Sequence, residues 1–241
     1  MKIHTIFSRV GVDELYFTSR TTVVIDVLRA STTILAALTN KAREIIPVDS
    51  FEFAIKVSGS AFSGQTLLGG ERNSKKVDGF LLGNSPLEYS EEIVKGKSII
   101  LYTSNGSKAI VKARYSKNLF ICSFNNIESI ANRLVELNND FTILCAGANK
   151  QFSLEDAVCA GNLILLMKQK SSLLKFSDAS KAAMVLYGNY KKDIENMLRN
   201  ACHGKELIDL GFEEDIRFAS RINSCFTIPY FKKGVLKSLA I

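Results

Sequence analysis

Proline is scarce in this chain of 241 residues, at three, and no Pro/Gly/Ser linker, internal repeat or low-complexity segment interrupts it. One continuous domain over residues 1–241 is therefore expected. Histidine numbers two and cysteine five, an odd count without Cys-x-x-Cys spacing. That excludes a recognisable zinc pattern and points to reduced thiols. Cys145, Cys159 and Cys225 stand in apolar surroundings and read as small hydrophobes. Cys202 and His203 are neighbours, but adjacent helical residues point about 100° apart and rarely serve as nucleophile and base. Long hydrophobic runs are missing too. The longest nearly apolar stretch, Ala157 to Met167, falls far below the roughly 18 residues a spanning helix needs. Residues 1–8 mix Lys2 and His4 into alternating apolar side chains and do not resemble a signal peptide. A cytoplasmic protein with no membrane partner is expected. There is also no basic stripe with interleaved aromatics. The formal charge of +7 comes from lysines that are scattered or paired, so no nucleic-acid partner is expected and an anionic small molecule suits the charge.

What is present reads as an ordinary globular core, with 46% hydrophobic and 23% charged residues. Short β-branched runs at 22–27, 43–48, 98–103, 119–123 and 141–146 alternate with helical patterns near 31–40, 50–57, 106–115, 126–138 and 154–169. Such alternation predicts an α/β layered fold, α/β/α, with a mixed, largely parallel sheet. After about residue 175 the pattern turns helical, giving a helical C-terminal portion before a last apolar strand near 225–231, which can close the sheet antiparallel.

Ligands in open α/β sheets collect at the carboxyl ends of the strands, and the unusual polar residues of this chain fall at those junctions. "TTVVIDVLRASTTI" places Asp26 and Arg29 where a buried strand hands over to a helix. An ionised carboxylate there needs a cation, a metal or several hydrogen bonds, and Ser31 or Thr32 can cap the helix. "TSNGSKAI" sets Ser104, Asn105, Gly106 and Lys108 before a helix without phosphate-loop spacing. "SLED" at 153–156 has the capping-box form, and "GFEEDIR" at 211–217 gathers three carboxylates that a divalent cation could reconcile. "GGERNSKKVDGFLLGNSPLEY" at 69–89 is the least helix-like or strand-like stretch and is expected to be a long functional loop.

Five blocks in order, "VVIDVLRASTTI", "GGERN…KVDGF…GNSPLEY", "TSNGSKAI", "CAGAN…FSLEDAVCAG" and "HGKELIDLGFEEDIRFA", resemble the 2-phosphosulfolactate phosphatase family. The resemblance implies a layered α/β/α fold and magnesium-dependent hydrolysis of 2-phospho-3-sulfolactate to 3-sulfolactate and phosphate, a step of coenzyme M synthesis. It implies Asp26, Arg29, Glu155 and His203 as catalytic residues. Substrate binding would fall to Ser31, Thr32, Arg72, Asn84, Ser85, Ser104, Asn105, Gly106 and Arg217. Magnesium would take its ligands from Asp26, Glu71, Asp156, Glu214 and Asp215, with Glu213 in the same block. Two departures stand out: Leu81 where an aspartate is expected, and Ala148-Asn149-Lys150 where the family pattern has Thr-Asn or Thr-Asp before glycine.

A substrate with phosphate, sulfonate and carboxylate on three carbons needs fixed cations, and guanidinium grips oxyanions in a fork. Arg29, Arg72 and Arg217 are the candidates. Asp26 reads equally as metal ligand or covalent nucleophile. The second acid of a haloacid-dehalogenase Asp-x-Asp is absent from Asp26-Val27-Leu28. The expected partner is a small anionic phosphorylated substrate, with a homodimer as the candidate assembly. The competing readings are a phosphatase of another small phosphorylated hydroxy acid and a non-catalytic anion binder.

Overall fold

The computed structural model describes the backbone of residues 1–60 and 65–239, and their side chains apart from 57–60. Its strands are β1 (Lys2–Ile6), β2 (Thr21–Ile25), β3 (Glu44–Val48), β4 (Thr66–Arg72), β5 (Lys75–Lys76), β6 (Ser98–Tyr102), β7 (Asn118–Cys122), β8 (Phe141–Cys145), β9 (Lys175–Phe176), β10 (Pro229–Lys232) and β11 (Val235–Ser238). The helices are α1 (Ala30–Thr39), α2 (Phe51–Ser60), α3 (Glu91–Val94), α4 (Gly106–Lys112), α5 (Ile127–Leu137), α6 (Leu154–Lys170), α7 (Asp178–Tyr190), α8 (Ile194–Asn200), α9 (Cys202–Asp209) and α10 (Glu213–Ala219). No helix among the described residues is long and apolar enough to cross a membrane.

The strands form one mixed sheet in the order β5-β4-β6-β3-β11-β10-β7-β2-β8-β1-β9. Strands β4, β6 and β3 are parallel to one another, as are β7, β2, β8, β1 and β9. The hairpin β10–β11 lies between the two groups, antiparallel within itself, to β7 and to β3. The last apolar strand is thus antiparallel, as expected, but it joins two half-sheets in the middle instead of closing an edge. Three antiparallel steps in succession set the two parallel groups in opposite senses along the sheet. Residues at the carboxyl ends of both groups nonetheless line a single cleft.

All five residues of β2 are buried, because it lies between β7 and β8 with both faces covered, the condition under which a strand reads as a continuous apolar run. Val23 and Ile25 join one apolar cluster with α5 and α6, while Val24 joins the opposite cluster with α1 and α4. This is the α/β/α layering. Helix α6 begins at Ser153, whose Oγ accepts from the Asp156 amide at 3.4 Å, and carries Glu155 and Asp156 in its first turn and Lys168 and Lys170 in its last. Both ends complement the helix dipole. None of the five cysteines is paired, and Cys122, Cys145 and Cys159 are buried.

Five of the described strands, β1, β4, β5, β9 and β11, lie outside the sequence expectation, and two of them have a physical reason. Strand β1 was hidden by Lys2 and His4, and β4 occupies the start of the presumed loop at 69–89. Glycine explains the second case. Gly70 has φ of +142°, and a Cβ built on it would fall on the Tyr102 carbonyl of β6, so this strand needs a residue that lacks strand propensity.

Candidate active site

The turn from β2 into α1 is held from within. The Asp26 amide donates to Ser31 Oγ at 2.9 Å, and the Ser31 amide returns a bond to the Asp26 carbonyl at 2.8 Å. Thr32 Oγ1 donates to the Val27 carbonyl at 2.8 Å and lies 2.9 Å from Ser123 Oγ. These hydroxyls are used by the turn itself, and neither Ser31 nor Thr32 lines the cleft. They differ in this from the expected role in substrate binding. What the turn presents is Asp26, 6% exposed, whose Oδ1 accepts from the Ala30 amide at 3.2 Å.

A cleft of about 450 Å³ opens at these strand ends and brings together Asp26, Arg29, Glu71, Arg72, Asn84, Ser104, Asn105 and His203 of the sequence-predicted set. Glu71 closes β4 and accepts from the Ser104 amide at 2.6 Å, the Ser104 hydroxyl at 3.0 Å and the Ser74 amide at 2.9 Å. Ser104 is therefore spent on Glu71. Asn84 lines the cleft as well, and its side-chain Oδ1 is buried with no hydrogen-bond partner among the described residues. On α9, His203 Nδ1 stands 3.2 Å from Glu206 Oε2, whose other oxygen takes the Ser74 hydroxyl at 2.7 Å. The Ser74 hydroxyl, ahead of His203, holds the Glu206 carboxyl below its ordinary pKa.

Arg29 lines the cleft, but its guanidinium is occupied. Nη1 donates to Asp215 Oδ2 at 2.7 Å, Nη2 donates to the Ser74 carbonyl at 2.8 Å, and the group lies 4.2 Å above the Phe212 ring. Ser85 donates to the other Asp215 oxygen at 2.6 Å. Asp215 and Ser85 accordingly form a buried clamp with Arg29, outside the cleft, where the sequence reading had set a metal ligand and a substrate contact. Burial raises the Asp215 carboxyl, against the opposing pull of Ser85 and Arg29.

Negative charge accumulates behind Asp26. Asp156 is 2% exposed and accepts from the Val27 amide at 2.9 Å and the Gly147 amide at 3.1 Å, so it braces two loops and does not reach the cleft. Glu155 is 3% exposed in the first turn of α6 and lies outside the cleft. Burial pushes the Asp26 carboxyl up to about 7, with Glu71 and Glu155 adding to the rise and His203 and the Ala30 amide opposing it. The Asp156 carboxyl rises well above its ordinary range through burial, then through Asp26 and Glu155.

Glu214 and Arg217 stand apart. They pair with each other on the exposed face of α10, where Arg217 also meets Glu213 at 3.0 Å and Glu213 meets Arg199 at 2.8 Å. Helical geometry requires this: with Asp215 turned inward, Arg217 two residues on points about 200° away. Leu81 is 60% exposed and outside the cleft, so that departure leaves the cleft carboxylates untouched, whereas Ala148, Asn149 and Lys150 line it.

The sequence reading missed Arg9, which follows β1, and Glu206. The signals were available: Lys2 to Ile6 alternates with period two, and Glu206 lies three residues beyond His203, on the same helix face.

Gly106 makes room for the Asp26 carboxylate. A Cβ there would strike the Ala30 methyl and Asp26 Oδ2. Gly106→Ala is expected to displace the Asp26 carboxylate and lower kcat by about 10²-fold, with a lowered melting temperature because the Ala30 methyl cannot swing aside. Unchanged turnover would show that Asp26 tolerates movement.

Residues 11–234 match the family model described as 2-phosphosulpholactate phosphatase. A protein of Clostridium acetobutylicum named probable 2-phosphosulfolactate phosphatase is 35% identical over 234 residues, covering 97% of this chain and 99% of that protein. Proteins of the same name from Symbiobacterium thermophilum and Clostridium tetani are 39% and 37% identical, covering 89% and 98% of this chain and 92% and 100% of their own lengths. With the match running through every block that builds the cleft, the chain belongs to the 2-phosphosulpholactate phosphatase family.

Proposed function

We propose that this chain is a phosphoric monoester hydrolase that cleaves 2-phospho-3-sulfolactate to 3-sulfolactate and phosphate, with magnesium as cofactor. The observation that carries the reading is one cleft holding buried carboxylates, Asp26 and Glu71, beside cations without partners among the described residues, Arg9, Arg72 and Lys150. A simple anion binder has no use for carboxylates buried beside its cations. The names of the relatives agree with this substrate.

The donor set fits magnesium. Hard oxygens are what that ion takes, and one or two carboxylates suffice because it keeps several waters. The described residues hold no ready cluster of three or more metal-ligating side chains, which is in keeping with such sparse ligation. Asp26 and Glu71 would hold the ion, with the unpartnered Asn84 Oδ1 as a further oxygen. Bound there, magnesium would neutralise charge on the phosphoryl oxygens. The chain supplies the rest. Arg72 and Lys108 grip the phosphate. His203, oriented through Nδ1 by Glu206, delivers a proton to the leaving alkoxide.

Steady-state phosphate release from 2-phospho-3-sulfolactate tests the reading, which fails if the magnesium-loaded protein releases none. Arg72→Lys keeps the charge and loses the fork. It is expected to raise KM by about tenfold, on the order of 1.4 kcal/mol. An unchanged KM would place Arg72 outside the phosphate site.

A further inference from the structure

The amino ends of four neighbouring parallel strands, β7, β2, β8 and β1, carry a second concentration of charge. Lys117, Arg20 and Asp140 stand immediately before β7, β2 and β8, and Lys2 opens β1. With His4 and Thr142 they line a pocket of about 620 Å³. Asp26 and the cleft follow the carboxyl ends of these strands. The length of β2, roughly 16 Å at the usual rise per residue, separates the two places.

Three cations face one acid in this pocket. Lys2, Arg20 and Lys117 enter no ion pair among the described residues, and Asp140 accepts at Oδ1 from the Lys2 amide at 2.6 Å, not from the Lys2 ammonium. Arg20 is held in place: its Nε donates to the Tyr16 carbonyl at 2.6 Å, and its guanidinium carbon lies 4.5 Å from the Tyr16 ring centroid. His4 and Thr142 are register partners on β1 and β8, so imidazole and hydroxyl stand side by side on one face. Thr142 is 2% exposed, and its hydroxyl has no hydrogen-bond partner among the described residues. Burial lowers the His4 pKa, and Lys2 and then Arg20 lower it further. A bound anion would offset that repulsion and give the hydroxyl an acceptor.

We propose that this pocket is a binding site for a phosphate dianion, separate from the cleft, with Arg20 and Lys117 as its charged ligands and Lys2, His4 and Thr142 completing it. A tetrahedral oxyanion takes a guanidinium as a fork and an ammonium as a point charge. The hydroxyl and a ring N–H supply neutral donors for its remaining oxygens. The pocket is larger than a bare ion needs, and Tyr16 lends it an apolar wall, so a free phosphate and a phosphate ester share this chemistry. The site stands apart from the phosphatase reading, since none of its five ligands lines the cleft.

The chain has two histidines, His4 in this pocket and His203 in the cleft, so their ring resonances, assigned with His4→Gln, report the two places separately. Inorganic phosphate and adenosine monophosphate are titrated in turn at constant ionic strength. Each is expected to shift the His4 resonance, with a Kd of about 1 mM or tighter. The double variant Arg20→Gln, Lys117→Gln should weaken that response at least tenfold, with melting temperatures confirming that it is folded. Tighter binding of the nucleotide would assign the site to an ester and tighter binding of phosphate to the free ion, and either supports it. A His4 resonance that chloride moves equally, or that responds as strongly in the double variant as in wild type, would overturn the site. So would a phosphate response confined to His203.

Discussion

Asp26→Asn is expected to lower kcat by about 10³-fold or more, on the order of 4 kcal/mol in the barrier, and at the same time to raise the melting temperature at pH 8. The two effects share one cause. Burial holds the Asp26 carboxyl at about 7, against an ordinary value of 3.8. A carboxyl raised on folding costs nothing below its unfolded pKa. The cost grows as pH rises through the interval and is complete above about 7, where it is on the order of 4 kcal/mol. Asparagine can still accept from the Ala30 amide but carries no charge, so the variant should lose the decline in stability between about pH 4 and 7. Magnesium should relieve the same burden in the wild type, giving a larger rise in melting temperature at pH 8 than at pH 5, where the ion must first displace a proton. Thermal melts across this range with and without magnesium, beside turnover on the same preparations, check both halves. A destabilised variant whose folded fraction turns over at the parental rate would make Asp26 structural.

Arg29→Met is expected to behave in the opposite way, destabilising the fold by roughly 3–5 kcal/mol. Arg29 is 3% exposed and joins three elements: the β2–α1 turn to which it belongs, Ser74 beyond β4, and Asp215 on α10 beneath the Phe212 ring. Methionine fills the space and leaves Asp215 charged, buried and reduced to its Ser85 bond. The double variant Arg29→Met, Asp215→Leu should recover much of the loss, because the stranded charge is then gone. Arg29→Lys should fall between, since an ammonium cannot reach the carboxylate and the Ser74 carbonyl in one plane. Urea unfolding of wild type, Arg29→Met, Asp215→Leu and the double variant gives the coupling energy. An Arg29→Met variant as stable as wild type but inactive would return Arg29 to the substrate.

The sequence was most legible where one physical signal dominated. The β-branched runs that became β2, β3, β6, β7 and β8 are buried on both faces or nearly so, and such strands need no alternation to be recognised. Strand β4 was illegible because Gly69 and Gly70 carry no propensity, and their reasons for being there, the Tyr89 hydroxyl beside Gly69 and the Tyr102 backbone beside Gly70, lie farther along the chain. For the site, many of the residue types singled out at strand ends fall around one cleft. They did not separate side chains that face it from those that hold it up. Asp156 and Asp215 are aspartates like Asp26, but amides of two loops claim the first and Arg29 the second. Only tertiary contacts make that distinction. Arg9 escaped notice because the strand before it did, its period-two alternation from Lys2 to Ile6 being obscured by Lys2 and His4.

The central claim, a magnesium-dependent phosphatase working through Asp26 and Glu71, is tested most directly by following phosphate release from 2-phospho-3-sulfolactate in a single wild-type sample. The sample starts in magnesium, passes through excess chelator and returns to magnesium. The account predicts steady release, its loss on chelation and its recovery when the ion is restored. Undiminished release in excess chelator, or none in magnesium at any stage, would contradict it.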